Sequence, residues 1–149
     1  MARKSLIHLL CMISPIILFS CTKTIIEDPA DKFVGSYTYN ETYYATWGST
    51  SSSFSDNGGF TITKLSSDRV KISNPWNTSA TVLDNQLSID PVTQGDQSGY
   101  VNYTFTSAYL NGDMLTISYQ GMGSLKYSDG HDYPYMCQGS ISARKNVLE

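Results

Sequence analysis

Residues 33–47 read Phe33-Val34-Gly35-Ser36-Tyr37-Thr38-Tyr39-Asn40-Glu41-Thr42-Tyr43-Tyr44-Ala45-Thr46-Trp47. Every second side chain points the same way in an extended chain. Phe33, Gly35, Tyr37, Tyr39, Tyr43, Ala45 and Trp47 therefore share one face, and Val34, Ser36, Thr38, Asn40, Thr42 and Thr46 share the other. A helix would smear the two sets around its circumference. The stretch predicts a long strand, half buried, with Glu41 as the one carboxylate inside an apolar row.

The same composition continues downstream. Tyr, Thr, Ser, Asn and Gly dominate, and no segment keeps apolar residues at helical spacing for three turns. Short strands are expected at 60–65, 69–73, 80–83, 86–89, 100–109 and 114–119, with a weaker one at 125–127. Asp84-Asn85, Asn111-Gly112 and Asp129-Gly130 supply residues that accept the positive φ angles of tight hairpin turns. A closing strand puts Tyr133, Tyr135, Cys137, Gly139, Ile141 and Ala143 on one face. Residues 48–57 and 90–99 read as polar loops. The expected fold is all-β, an antiparallel up-and-down meander of about eight strands closed into a barrel, with a two-sheet sandwich as the alternative.

Ahead of this lies MARKSLIHLLCMISPIILFSC, in which Arg3 and Lys4 precede an apolar run from Leu6 to Phe19. The run is short for a membrane span, which takes roughly 20 apolar residues, and Pro15 interrupts it. It has the order of a secretion signal. Leu18-Phe19-Ser20-Cys21 resembles the bacterial lipobox, and that resemblance implies cleavage before Cys21 and diacylglycerol on its sulfur. The expected organisation is a signal at 1–20, a lipidated tether at 21–31 and a β domain at 32–149. The membrane is then a partner through the lipid on Cys21, in the cell envelope, on the outer membrane and by default on its periplasmic side.

Removal of the leader takes Arg3 and Lys4 from the ten Lys and Arg and none of the thirteen Asp and Glu. A mildly acidic domain with scattered cations excludes nucleic acid as a partner. Of the three cysteines, Cys11 leaves with the signal and Cys21 is acylated, so Cys137 stays a free thiol, read as a small buried hydrophobe.

DKFVGSYTY at 31–39, GGFTITKLSSDRVKIS at 58–73, SATVLDNQLSI at 79–89 and LNGDMLTISY at 110–119 carry a hairpin cadence. In these stretches the chain resembles the small lipocalin-like lipoproteins of Bacteroidetes. Gly35-Ser36-Tyr37 and Arg144 sit where lipocalins carry Gly-x-Trp and a late Arg that packs over it. The resemblance implies a barrel fold.

His131 is the one histidine outside the leader, so no metal site and no cofactor is expected, and no catalytic set. Glu41 and Asp113 are isolated carboxylates. Glu41 would have a raised pKa if buried among Tyr39, Tyr43 and Trp47. The eleven tyrosines and two tryptophans point instead to binding. Tyr37, Tyr39, Tyr43 and Trp47 are the candidate lining for a small apolar or amphipathic ligand. Trp76, in the loop Asn74-Pro75-Trp76-Asn77, is the candidate exposed platform for a glycan or a protein.

Overall fold

A computed structural model describes residues 27–127 and 129–146. The signal segment and Cys21 lie outside the described residues. Nine antiparallel strands follow one another: β1 Gly35–Trp47, β2 Thr50–Lys64, β3 Arg69–Ile72, β4 Thr78–Leu83, β5 Gln86–Ile89, β6 Val92–Asp96, β7 Gly99–Asn111, β8 Met114–Lys126 and β9 Asp132–Lys145. Their order in the sheet is β5-β4-β3-β2-β1-β9-β8-β7-β6, and an additional β5–β7 pairing closes the ring. This is the expected all-β antiparallel meander.

Strand lengths divide the ring into two halves. We call the end near Gly35 the base and the end near Trp47 the mouth. At the base eight strands surround the interior. Tyr37, Ile62, Val70, Ile72, Leu115, Ile117 and Ile141 are fully buried there, with Phe33 beneath them. Full burial of an Ile or Leu side chain stabilises by about 1.5–3 kcal/mol, so each aliphatic residue of this layer contributes substantially to the cohesion of the fold. Tyr37 stacks on Phe60 with ring centroids 5.1 Å apart, and its hydroxyl donates to the Phe33 carbonyl at 2.8 Å.

At the mouth the wall is incomplete. β2 pairs with β3 only from Ile62 to Lys64, so Thr50–Gly59 have β1 on one side and no strand on the other among the described residues. β6 has β7 alone. β3, β4 and β5 are too short to bridge these two edges. β5 and β6 meet β7 in one common register, Gln86 opposite Tyr109 and Val92 opposite Tyr103, and are separated at Asp90-Pro91. Proline has no amide proton to give the ladder, and the Asp90 amide turns to the Ser79 carbonyl at 2.8 Å instead. On β7 a bulge between Phe105 and Ser107 changes which residues face inward, from Val101, Tyr103 and Phe105 above to Ala108 and Leu110 below.

The structure corrects several local expectations. Residues 50–57, expected as loop, are the first half of β2, because β1 offers thirteen consecutive ladder partners and the Gly48-Ser49 turn, with Gly48 at φ 57°, sets their register. Within 90–99, Val92–Asp96 form β6. The segment 114–119 and the first two residues of 125–127 belong to a single strand, β8, which runs through Gly121 and Gly123 to Lys126. The turn expected at Asn111-Gly112 is centred one residue later, with Asn111 opposite Met114 and Gly112 at φ 61°. Residues 28–31, assigned to the tether, are docked at the base: Ala30 is fully buried, its amide meets the Ser67 carbonyl at 3.0 Å, and Asp28 and Asp31 hold Lys64. Arg144 faces outward and binds Asp113 at 2.9 Å, so it packs over nothing at Tyr37. The stem of Lys145 lies against Gly35, and its ammonium donates to the Lys32 carbonyl at 3.1 Å.

Candidate ligand-binding site

Inward-facing residues of a closed barrel are dry, and at the mouth the small ones, Ala45, Val101 and Cys137, still are, whereas most of the large rings are not. Tyr43 and Trp47 on β1, Tyr103 and Phe105 on β7, and Tyr135 on β9 point into the interior yet are only half buried. Phe54 on β2 is 38% exposed. β2 and β6 do not pair with each other among the described residues, and the partly exposed rings between their edges form the surface we call the trough. Phe54 stacks on Tyr43 at 5.0 Å and tilts against Trp47 at 6.0 Å, so the β1–β2 wall is a continuous aromatic surface.

The trough has a floor. Trp76 comes from the loop between β3 and β4, turns inward and is 4% exposed. Its indole meets Phe105 edge-on at 4.7 Å and Tyr119 at 5.3 Å, and Tyr119 meets Tyr103 at 5.8 Å. Gln94 on β6 donates to the Pro75 carbonyl and holds the loop in place. The expectation of an exposed Trp76 platform is thereby corrected: a hydrophobic ring beside an unfinished wall gains more by filling the gap than by facing water.

Glu41 is buried and inward-facing, one inward position nearer the base than Tyr43. The Tyr119 hydroxyl donates to Glu41 Oε1. It reaches across β9 because Gly139 has no side chain; a Cβ there would lie 2.5 Å from the Tyr119 hydroxyl oxygen and 2.8 Å from the Tyr43 Cβ. Burial raises the Glu41 pKa, the bond from Tyr119 lowers it, and Asp56 raises it again, with a net upward shift. Burial likewise pushes Tyr103 up to about 12, with smaller contributions from Cys137, Glu41 and Tyr43. Burial lifts the Cys137 thiol, which is free and buried as expected.

No family model and no curated protein matches this chain. Among solved structures it is similar to the S-type phycobiliprotein lyase CPES from Guillardia theta, at 8% identity, over 80% of this chain and 92% of that one, with a TM-score of 0.32. A likeness of that size assigns nothing to this chain.

The candidate lining residues thus separate. Tyr43 and Trp47 stand in the trough. Tyr39 lies at its lower edge, its ring covering the bare backbone of Gly58, where a Cβ would come 2.7 Å from its hydroxyl. Tyr37 belongs to the sealed base and Trp76 to the floor. Sequence reading missed Phe54, Asp56, Tyr103, Tyr119 and Tyr135 as parts of one site. Their only sequence signal is alternation on strands whose pairing it did not specify. Among the described residues no three His, Cys, Asp or Glu side chains cluster as metal ligands.

Proposed function

We propose that this chain is a non-enzymatic binding protein of the cell envelope, held on the periplasmic side of the outer membrane by a lipid on Cys21, that takes a small apolar or amphipathic molecule into its aromatic trough. The observation that carries the reading is the half-buried state of inward-facing Tyr43, Trp47, Tyr103 and Tyr135 beside exposed Phe54. Left empty, that surface costs about 25 cal/mol for each Å² of apolar area kept in water. An apolar occupant removes the cost. The leader and the Leu18-Phe19-Ser20-Cys21 sequence support the anchor.

The test is titration of the full chain with 4-phenylbutan-1-ol, read by the combined emission of Trp47 and Trp76. We expect saturable binding that Phe54→Ala weakens by about tenfold, the scale of one lost aromatic contact with its buried area. Absence of saturation in the parent chain rejects the trough as a binding site. The intact mass of the same preparation checks the anchor: a chain that keeps its leader, or lacks acyl groups on Cys21, rejects it.

A second reading, a surface module for a glycan or a protein, is favoured by a groove of about 560 Å³ on the outer face. Thr42, Tyr44, Ser118, Gln120, Gln138 and Ser140 line it with uncharged hydrogen-bonding groups. Tyr44 is exposed there and is the ring on which a sugar would stack. Binding of an oligosaccharide that Tyr44→Ala abolishes would favour this reading over the trough.

A further inference from the structure

The trough carries charge of one sign. Asp56 on β2 lies directly opposite Glu41 on β1, and both register positions face inward. Such cross-strand neighbours have Cβ atoms about 4.5–5.5 Å apart, and like charges there repel. Glu41 is buried beside the rings, and Asp56 stands at the free edge with its Oδ1 accepting from the Asn57 amide at 2.8 Å. No Lys, Arg or His occupies an inward position of the mouth half among the described residues. Lys64, Arg69 and Arg144 make their ion pairs elsewhere, with Asp28 and Asp31, with Asp90 and with Asp113.

We propose that the occupant of the trough is a small organic cation, a protonated amine on an aromatic or alkyl body, with its ammonium between Glu41 and Asp56 and its body against Tyr43, Phe54 and Trp47. This rests on the reading of the trough as a binding site and adds the chemistry of its ligand. Two independent features of the walls agree on it. The rings present electron-rich faces that attract a cation as well as apolar area. The paired carboxylates, which repel each other while the trough is empty, both gain from a positive charge placed between them. Neutral apolar molecules use only the first feature, and anions meet repulsion from the second. The bond from Tyr119 occupies Glu41 Oε1 and fixes the carboxylate's direction, which spares a ligand the entropy of ordering it.

Three probes of one shape separate the possibilities: 4-phenylbutan-1-amine, 4-phenylbutan-1-ol and 5-phenylpentanoate, each titrated into the full chain at neutral pH. The amine is expected to bind at least about tenfold more tightly than the alcohol, and the carboxylate more weakly than either. Asp56→Asn, at an exposed position, should bring the amine to within about threefold of the alcohol, and Glu41→Gln should do the same. Asp84→Asn removes an equal charge at a base turn and should leave the preference in place. If the amine binds no more tightly than the alcohol while the alcohol still saturates, the cation inference falls and the trough stands. If none of the three saturates, both fall.

Discussion

The base and the mouth share five long strands, and they are packed in opposite ways. At the base the interior side chains are mainly aliphatic, and eight strands surround them. At the mouth the same strands carry Tyr43, Trp47, Phe54, Tyr103, Phe105 and Tyr135, and the wall stops at two edges that have no further strand partner among the described residues. The difference teaches that closure here is decided by the short strands. β3, β4 and β5 span the base and run out before the mouth, so the long strands continue beyond the barrel as an open, curved sheet. Aromatic rings suit that position, since each covers a large area from a single backbone attachment and keeps a polar tip where water enters.

The comparison breaks most readily at Trp76, which belongs to the mouth by position and to the core by burial. Trp76→Ala should destabilise the fold by about 3–5 kcal/mol, as for other buried aromatic truncations, and should do so with or without ligand. The urea midpoint of the variant against the parent measures it. A loss under about 1 kcal/mol would mean that the floor is a loop feature and the core ends at the base. Gly139→Ala probes the join between the halves with a smaller effect. The added methyl has no space beside the Tyr119 hydroxyl and the Tyr43 Cβ, so one of those rings must move. We expect a cost of about 1–3 kcal/mol, the range for overpacking a filled interior, together with release of Tyr119 from Glu41. Tyrosine titration followed by absorbance reports that release as an ionisation at lower pH; an unchanged titration would show that Tyr119 holds its place.

Much of the fold was legible in residues 33–47 and 133–143, because one-sided burial imposes a period of two that survives in the sequence. The hairpin at Asp84-Asn85 was legible for a different reason: Asp84 adopts a φ of 54°, which Asp tolerates and β-branched residues avoid. The first half of β2 left no such trace. Thr50–Gly59 are largely exposed on both faces, so Phe54 alone carries an apolar side chain there, one residue makes no alternation, and the strand exists because β1 supplies its hydrogen bonds. The site was legible only along β1. Tyr39, Glu41, Tyr43 and Trp47 could be placed on a common face, whereas Asp56, Tyr103, Tyr119 and Tyr135 join them through registers fixed by bulges and turns distant in the chain. Trp76 was misjudged because a residue between two strands gives no alternation from which to infer burial; its inward turn depends on the gap left by β3 and β4.

Glu41 offers the finest distinction between the halves, since it is the one buried carboxylate among the described residues and Tyr119 donates to it. Its pKa in the folded chain is raised above the ordinary value of 4.5. Between those two values the folded state keeps a proton that the unfolded state has released. Stability therefore falls as pH rises through that interval and levels off once Glu41 is ionised in both states. Glu41→Gln cannot release the proton, and its amide can still accept from Tyr119. Relative to the parent, the variant should gain stability with increasing pH from about 4.5, with a slope of no more than about 1.4 kcal/mol per pH unit. Paired urea titrations across the acid range measure the difference while cancelling the other titrating groups. If the parent instead gains on the variant as pH rises, the bond from Tyr119 outweighs burial and ionised Glu41 is a stabilising element of the empty protein. An amine would then have less to relieve, and the contrast between a sealed base and a mouth poised for a cation would lose its electrostatic half while keeping its aromatic one.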